Sequence, residues 1–225
     1  MTKTILLCLF SSLFLISSQT LGSNGEKYND SEFDFLSNKE IKKLLGDYPP
    51  LKEPSGEQDF EEVLSYQNTR TEQDCRKAAA QDVVSLENLF VKDNGPLTLA
   101  EAKKLKLGFA LLYVEAGLNI WKAKALFKRP RPYDSHAVLK PCVPKESSYS
   151  YPSGHTTLAR FFARSLAEIY PDRAVQFLER ADQISENRVI GGVHYPSDIA
   201  AGKVLGDEIA DFTIKSGYFE VFRDL

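Results

Sequence analysis

The stretch from Arg188 to Asp198 reads R-V-I-G-G-V-H-Y-P-S-D and puts a cation, an imidazole and a carboxylate into one short run. Proline is favoured at the first helical position, because its missing N–H is one that a helix leaves unpaired anyway. Tyr195, Pro196 and Ser197 therefore read as a helix start, and Asp198 falls within about one helical turn of His194. A histidine oriented by a carboxylate can act as a nucleophile or a base. Gly191 and Gly192 leave room for close approach of a ligand. The same residues equally describe a buried histidine tied to an acid for structural reasons, and this run alone does not separate the two readings.

Two further clusters carry potential chemistry. Lys124 and Arg131-Pro132 are seven residues apart, so two cations meet near a helix terminus; with Lys122, Lys128 and Arg129 they also fit an ordinary solvated basic face. Pro152-Ser153-Gly154-His155 precedes a helical pattern, where free backbone N–H groups make an anion site and glycine lets the backbone come close. The Ser153 hydroxyl would add a hydrogen bond there, and His155 would stand where it could exchange a proton. The plainer role for Ser153 is a helix cap. The chain has three histidines, His136, His155 and His194, and neither they nor the cysteines show metal-ligand spacing.

The elements that must position these clusters are helical. Ser37 with Glu40, Ser55 with Gln58, and Thr98 with Glu101 match capping boxes, each ahead of apolar residues at helical spacing. Residues 71 to about 91 read as one helix, and Thr98 to about Phe127 as a long one. Its middle, Leu107 to Trp121, is apolar on most sides and is expected to be the buried centre of a bundle. Pro130 and Pro132 end it, and Asp134 to Tyr151 reads as an irregular loop of a length that is usually functional or disordered. Helices follow from Thr156 to Ile169, from Pro171 to about Glu186, and from Ser197 to Lys215. No strand-like alternation and no repeat occurs, so the expected fold is all-α, a single-domain helical bundle.

Hydrophobic residues at 43% support a core, and a net charge of -3 gives no global reason to bind nucleic acid. Met1 to Gly22 reads as a cleaved signal peptide, with Lys3, an apolar run from Ile5 to Ile16 that is short for a membrane span, and small residues before a cut after Gly22. Cys8 sits inside the apolar run, which speaks against a lipoprotein. Residues 23 to 36 read as a polar start to the mature chain, and Tyr48 to Pro54 as an extended surface segment. Export leaves Cys75 and Cys142 as an even pair, for which a disulfide is expected.

Lys-x6-Arg-Pro, then Pro-Ser-Gly-His, then Arg-x5-His-x3-Asp, in that order, resembles the signature of the type 2 phosphatidic acid phosphatase superfamily. The upstream Q-N-T-R-T-E-Q-D-C run from Gln67 to Cys75 is similar to the soluble bacterial class A non-specific acid phosphatases, so the likeness covers about Leu45 to Phe212. The family commonly has Ser before the third-motif arginine, where this chain has Asn187.

The resemblance implies that Lys124, Arg131 and Arg188 grip phosphate oxygens, with Ser153 and Gly154 completing the cradle. It implies that His194 attacks phosphorus to give a phosphohistidine, that Asp198 orients it, and that His155 protonates the leaving group. A small-molecule phosphomonoester substrate, no metal or other cofactor, no nucleic-acid partner, a periplasmic location and a possible homo-oligomer follow as expectations. The rivals are a lipid phosphate phosphatase working at a membrane surface, a vanadate-dependent haloperoxidase with His194 as the metal's ligand, and a catalytically dead binding protein.

Overall fold

Capping residues start most of the helices. The structure is a computed structural model and describes residues 36–46 and 54–222, all within one compact unit. The leader expected at Met1–Gly22 with Cys8, the polar stretch to residue 35 and the proline segment from Tyr48 to residue 53 lie outside the described residues.

Helix α1 (Asn38–Leu45) begins at Ser37, whose hydroxyl accepts from the Glu40 N–H while the Glu40 carboxylate accepts from the Ser37 N–H. The same reciprocal pair, Thr98 with Glu101, opens α5 (Leu99–Phe127), and Thr71 with Asp74 opens α3 (Glu72–Ala80). Such a cap is worth about 1 kcal/mol. Helix α2 (Pro54–Thr69) starts one residue ahead of Ser55, which puts Ser55 within the first turn rather than at the position before it.

The segment expected as one helix from 71 to 91 is two. After α3 the chain turns through Gln81 and Asp82, and Ser85 then caps the short α4 (Leu86–Phe90). Asp and Ser compete with helical hydrogen bonding through their side chains, which favours a break and a new cap here.

The centre of the bundle is α7 (Gly154–Ile169), which packs against both α8 (Ala174–Ile190) and α9 (Pro196–Lys215). Leu158, Ala159, Phe161, Phe162, Ala163 and Leu166 are all buried. Helix α9 comes so close that a Cβ at Gly202 would lie 2.9 Å from the Ser153 carbonyl oxygen, and one at Gly206 2.7 Å from that of Thr157. That contact fixes the start of α7 against the start of α9. No strand occurs among the described residues, so the fold is all-α.

Helix α5 is not the buried centre. Ala102, Leu105, Phe109, Leu112, Ala116, Ile120 and Ala123 form one packed stripe against α1, α4 and α7. The opposite stripe is in water, with Leu107 55%, Val114 54% and Trp121 70% exposed, and Leu111 and Leu118 beside them. Helical spacing reports that both faces are apolar, but α5 sits at the edge of the bundle, and only one face meets a neighbour.

The loop after α6 (Pro132–Ser135) is clamped to the helices. Cys142 is disulfide-bonded to Cys75 of α3, its N–H donates to the Gly191 carbonyl (3.0 Å), and the Arg70 guanidinium donates to the Ile190 (2.7 Å) and Lys140 carbonyls. Gly191 and Gly192 thus face Val143 and Pro141, not a ligand; Gly192 has φ +78°, which glycine adopts without strain. The bridge closes a loop across a separation of 67 residues, which loop-closure entropy values at about 4 kcal/mol. Urea unfolding of Cys75→Ser should show a loss of that order; an unchanged midpoint and slope would contradict it.

Candidate active site

Five helix ends converge on one buried site. Lys124 comes from the last turn of α5, Arg131 is the residue before α6, Ser153 and Gly154 begin α7, Arg188 lies in the last turn of α8, and His194 precedes α9. Helix α8 runs four residues past the expected end at Glu186, and this carries Arg188 onto the helix.

His194 is 1% exposed, and its Nδ1 lies 3.2 Å from Oδ2 of Asp198. Its Nε2 lies 2.9 Å from Nη1 of Arg131. A guanidinium only donates, so Nε2 carries the lone pair and the Nδ1–H donates to Asp198. Burial and then Arg131 press the His194 pKa down to about 3, against the pull of Asp198. The imidazole is therefore neutral at ordinary pH, with its lone pair directed at the cations. For Asp198, burial opposes ionisation, but the His194 hydrogen bond, Arg129 and Ser150 outweigh it and hold the pKa at about 2. The carboxylate also accepts from the Ser150 hydroxyl and the Tyr195 N–H (2.9 Å).

The cations differ in their state. Arg131, 1% exposed, donates to the Ser148 and Val193 carbonyls, both at 2.9 Å. Arg188 is fully buried and donates from Nη2 to the Ala78 carbonyl, while its Nε and Nη1 have no hydrogen-bond partner. Buried donors left over in this way mark a place for a ligand acceptor. The Lys124 ammonium donates to the Tyr149 and Ser150 carbonyls; burial, then Arg131, brings its pKa down to about 7. The Ser153 hydroxyl accepts from the Thr156 N–H at 3.3 Å, which is the capping role. A Cβ at Gly154 would reach 3.8 Å from Cε of Lys124, so the α7 start and the lysine are neighbours.

His155 holds the far side. Its Nε2 is 2.9 Å from the Asp82 carbonyl oxygen, which makes Nε2 the donor and leaves the lone pair on Nδ1. Burial and Arg188 lower its pKa, against Glu146 and Asp82. His136 lies outside the site, stacked on Phe60 with ring centroids 4.4 Å apart. Asn187 donates to Gln81 (2.8 Å) and so supports the turn that carries Asp82.

Three residues of the site are not evident from sequence. Arg129, read as one of a solvated basic run, is 4% exposed and bridges Asp198 (2.7 Å) to Asp59 (2.8 Å). Glu146 pairs with Arg131 at 2.7 Å, and Ser150 joins His194 and Asp198. An acid between two basic motifs is the only sequence signal for Glu146, and nothing in the run Lys122–Arg131 distinguishes Arg129 from the lysines. Asp82, Glu146 and His155 also bring three potential metal-ligand atoms within 4.8 Å of one another, a convergence that separations of 64 and 9 residues conceal in the sequence.

An all-helical bundle whose helix ends bring together a neutral histidine, its carboxylate and buried cations defines the class of site. The model of the PAP2 superfamily matches residues 103–216, and the chain belongs to that superfamily. A non-specific acid phosphatase of Providencia stuartii is 29% identical over 153 residues, which is 65% of this chain and 61% of that protein. An acid phosphatase of Zymomonas mobilis is 36% identical over 99 residues, 41% of this chain and 37% of that one. The chain thus spans less than two thirds of the length of these curated relatives. Among solved structures, a bacterial vanadium-dependent iodoperoxidase shares the fold, with a TM-score of 0.60 and 17% identity over 78% of this chain and 54% of that one.

Proposed function

We propose that this protein hydrolyses phosphomonoesters with broad specificity, through a covalent phosphohistidine on His194 and without a metal. The observation that carries this reading is the His194 imidazole, neutral and with Nε2 presented to Arg131 by its bond to Asp198. In the first step Nε2 bonds to phosphorus as the ester P–O bond breaks, and His155, protonated at Nδ1, gives its proton to the leaving alkoxide. In the second step His155 takes a proton from the attacking water, the P–N bond breaks, and phosphate leaves with His194 neutral again. Arg131, Arg188, Lys124 and the α7 start hold the charge on the phosphoryl oxygens throughout, which is the main demand of phosphoryl transfer. Arginine suits the role because its planar fork meets two oxygens at once.

Asp82, Glu146 and His155 could in principle hold a cation, but Glu146 is committed to Arg131, and Asp82 lies 3.8 Å from Arg188. Two guanidiniums beside the trio disfavour a divalent ion electrostatically. Turnover of p-nitrophenyl phosphate should therefore survive dialysis against EDTA undiminished; loss that only a divalent cation restores would overturn the metal-free scheme.

The exposed apolar stripe of α5, from Leu107 to Trp121, favours a second reading, in which the phosphate belongs to a lipid and this face meets the membrane. No helix among the described residues is long and apolar enough to cross a membrane. Rates on a nucleotide and on a lipid phosphate in vesicles separate the two, and halide oxidation with added vanadate tests the haloperoxidase reading. The export reading places a leader at residues 1–22, the working domain at 23–225 and the product in the periplasm, and mass spectrometry of the exported protein tests it. A homo-oligomer is the expected assembly, measured by light scattering.

A further inference from the structure

Glu146 is an acid set inside the proposed anion cradle. Its backbone is pinned from both sides by Tyr133, whose hydroxyl receives the Glu146 N–H (3.0 Å) and donates to the Glu146 carbonyl (2.9 Å). The side chain, in contrast, is held by the site itself. Oε2 accepts from Nη2 of Arg131 at 2.7 Å and from the Ser148 hydroxyl at 3.3 Å, and Oε1 lies 3.8 Å from Nδ1 of His155. The carboxylate also feels Lys124, His194 and Arg188. It therefore pairs with Arg131 and approaches His155, within the field of the other cations, where phosphoryl oxygens would take the Arg131 fork. With 31% of its side chain exposed, it has a way out toward water.

On the reading of this pocket as a phosphate site, we infer that Glu146 sets which ionisation state of phosphate the protein takes, by standing in the cradle as a tethered competing anion that a dianion displaces at greater cost than a monoanion. The groups that face it are Lys124 from α5, Arg131 and Tyr133 at α6, Asp82 after α3, His155 from α7, Arg188 from α8 and His194 before α9. Of these, Arg131 and Arg188 are cations throughout, Lys124 becomes one as the pH falls through about 7, and Asp82 is an acid, so Glu146 lowers the net charge of the group by one at any working pH. Burial opposes its ionisation, yet Arg131, His155, His194 and Lys124 hold its pKa at about 2, so it is charged across the working range. Phosphate loses its second proton near pH ~6 to 7. The lost charge costs a dianion about twice what it costs a monoanion, so binding favours acid conditions. Lys124, with its pKa of about 7, adds to the same trend from the opposite side, because it gains its charge as the pH falls.

The test is calorimetric titration of the full chain with inorganic phosphate at pH 5 and pH 8, for wild type, Glu146→Gln and Glu146→Ala, with thermal melts as the control for folding. Removing one charge within hydrogen-bond distance should tighten binding about tenfold at pH 8, and by about threefold or less at pH 5. Both variants should behave alike, since charge and not shape is at issue. An equal factor at both pH values, weaker binding, or an effect of alanine alone would overturn the inference. Wild type that binds no phosphate at either pH would overturn the phosphate-site reading, and this inference with it.

Discussion

His194→Ala should abolish turnover of aryl and alkyl phosphates, a loss of at least about four orders of magnitude in kcat, because no second nucleophile stands at Nε2. Deleting the imidazole also leaves Arg131, Arg188 and Lys124 in place, so the variant should still bind phosphate or vanadate. That separation of binding from chemistry is the signature of a nucleophile, as opposed to a residue that shapes the pocket. Intact-mass spectrometry after a rapid alkaline quench should show a phosphorylated wild type and an unmodified variant. His155→Ala gives the complementary result. With a good leaving group such as p-nitrophenolate the first step needs little protonation, but the second still needs a base, so phosphoenzyme should accumulate. Retained turnover in His194→Ala, or a phosphate found on another residue, would remove His194 from the reaction.

Arg129→Met should cost about 3–5 kcal/mol of folding stability and disable the site as well. Arg129 is 4% exposed and ties together two buried carboxylates, Asp198 at 2.7 Å and Asp59 at 2.8 Å, with its guanidinium 4.0 Å above the Tyr195 ring. Taking it away leaves both acids buried without their shared cation, and an uncompensated buried charge is what makes such a loss large. Asp59 also accepts from the Ser197 N–H (3.1 Å) and hydroxyl, so it ties helix α2 to the first turn of α9, where Asp198 begins its work on His194. Urea unfolding measures the stability loss. The pH profile of kcat/KM measures the positioning role, since a loosened Asp198 no longer sets the His194 tautomer. Asp59→Asn added to Arg129→Met should recover part of the stability by removing one orphaned charge. A variant as stable as wild type would mean that the carboxylates find other partners.

Much of the site is legible because its parts are local. His194 and Asp198 are four residues apart, and a proline-initiated helix turns that spacing into a contact whatever the rest of the chain does. The Ser37–Glu40 and Thr98–Glu101 boxes work in the same way, since capping needs only the residues within one turn. The pairing of Cys75 with Cys142 followed from an even count in a chain read as exported.

Burial decides the rest, and burial depends on partners far away in the chain. Lys128 and Arg129 are neighbours in one basic run, yet Lys128 is exposed and Arg129 is enclosed, because Asp59, 70 residues away, comes to meet only the arginine. Glu146 is an unremarked acid in a loop until the disulfide and Tyr133 set its backbone beside Arg131. The apolar faces of α5 look alike in sequence, and one of them packs only because α7 lies on that side. The chain alone thus determined the capped helix starts at Ser37 and Thr98, the signature residues and the His194–Asp198 contact, since spacing within a turn controls them. The tertiary structure decided which cations are buried, where Arg188 is left with free donors, and that the Glu146 carboxylate pairs with Arg131. Those outcomes depend on which distant charges share a low-dielectric interior.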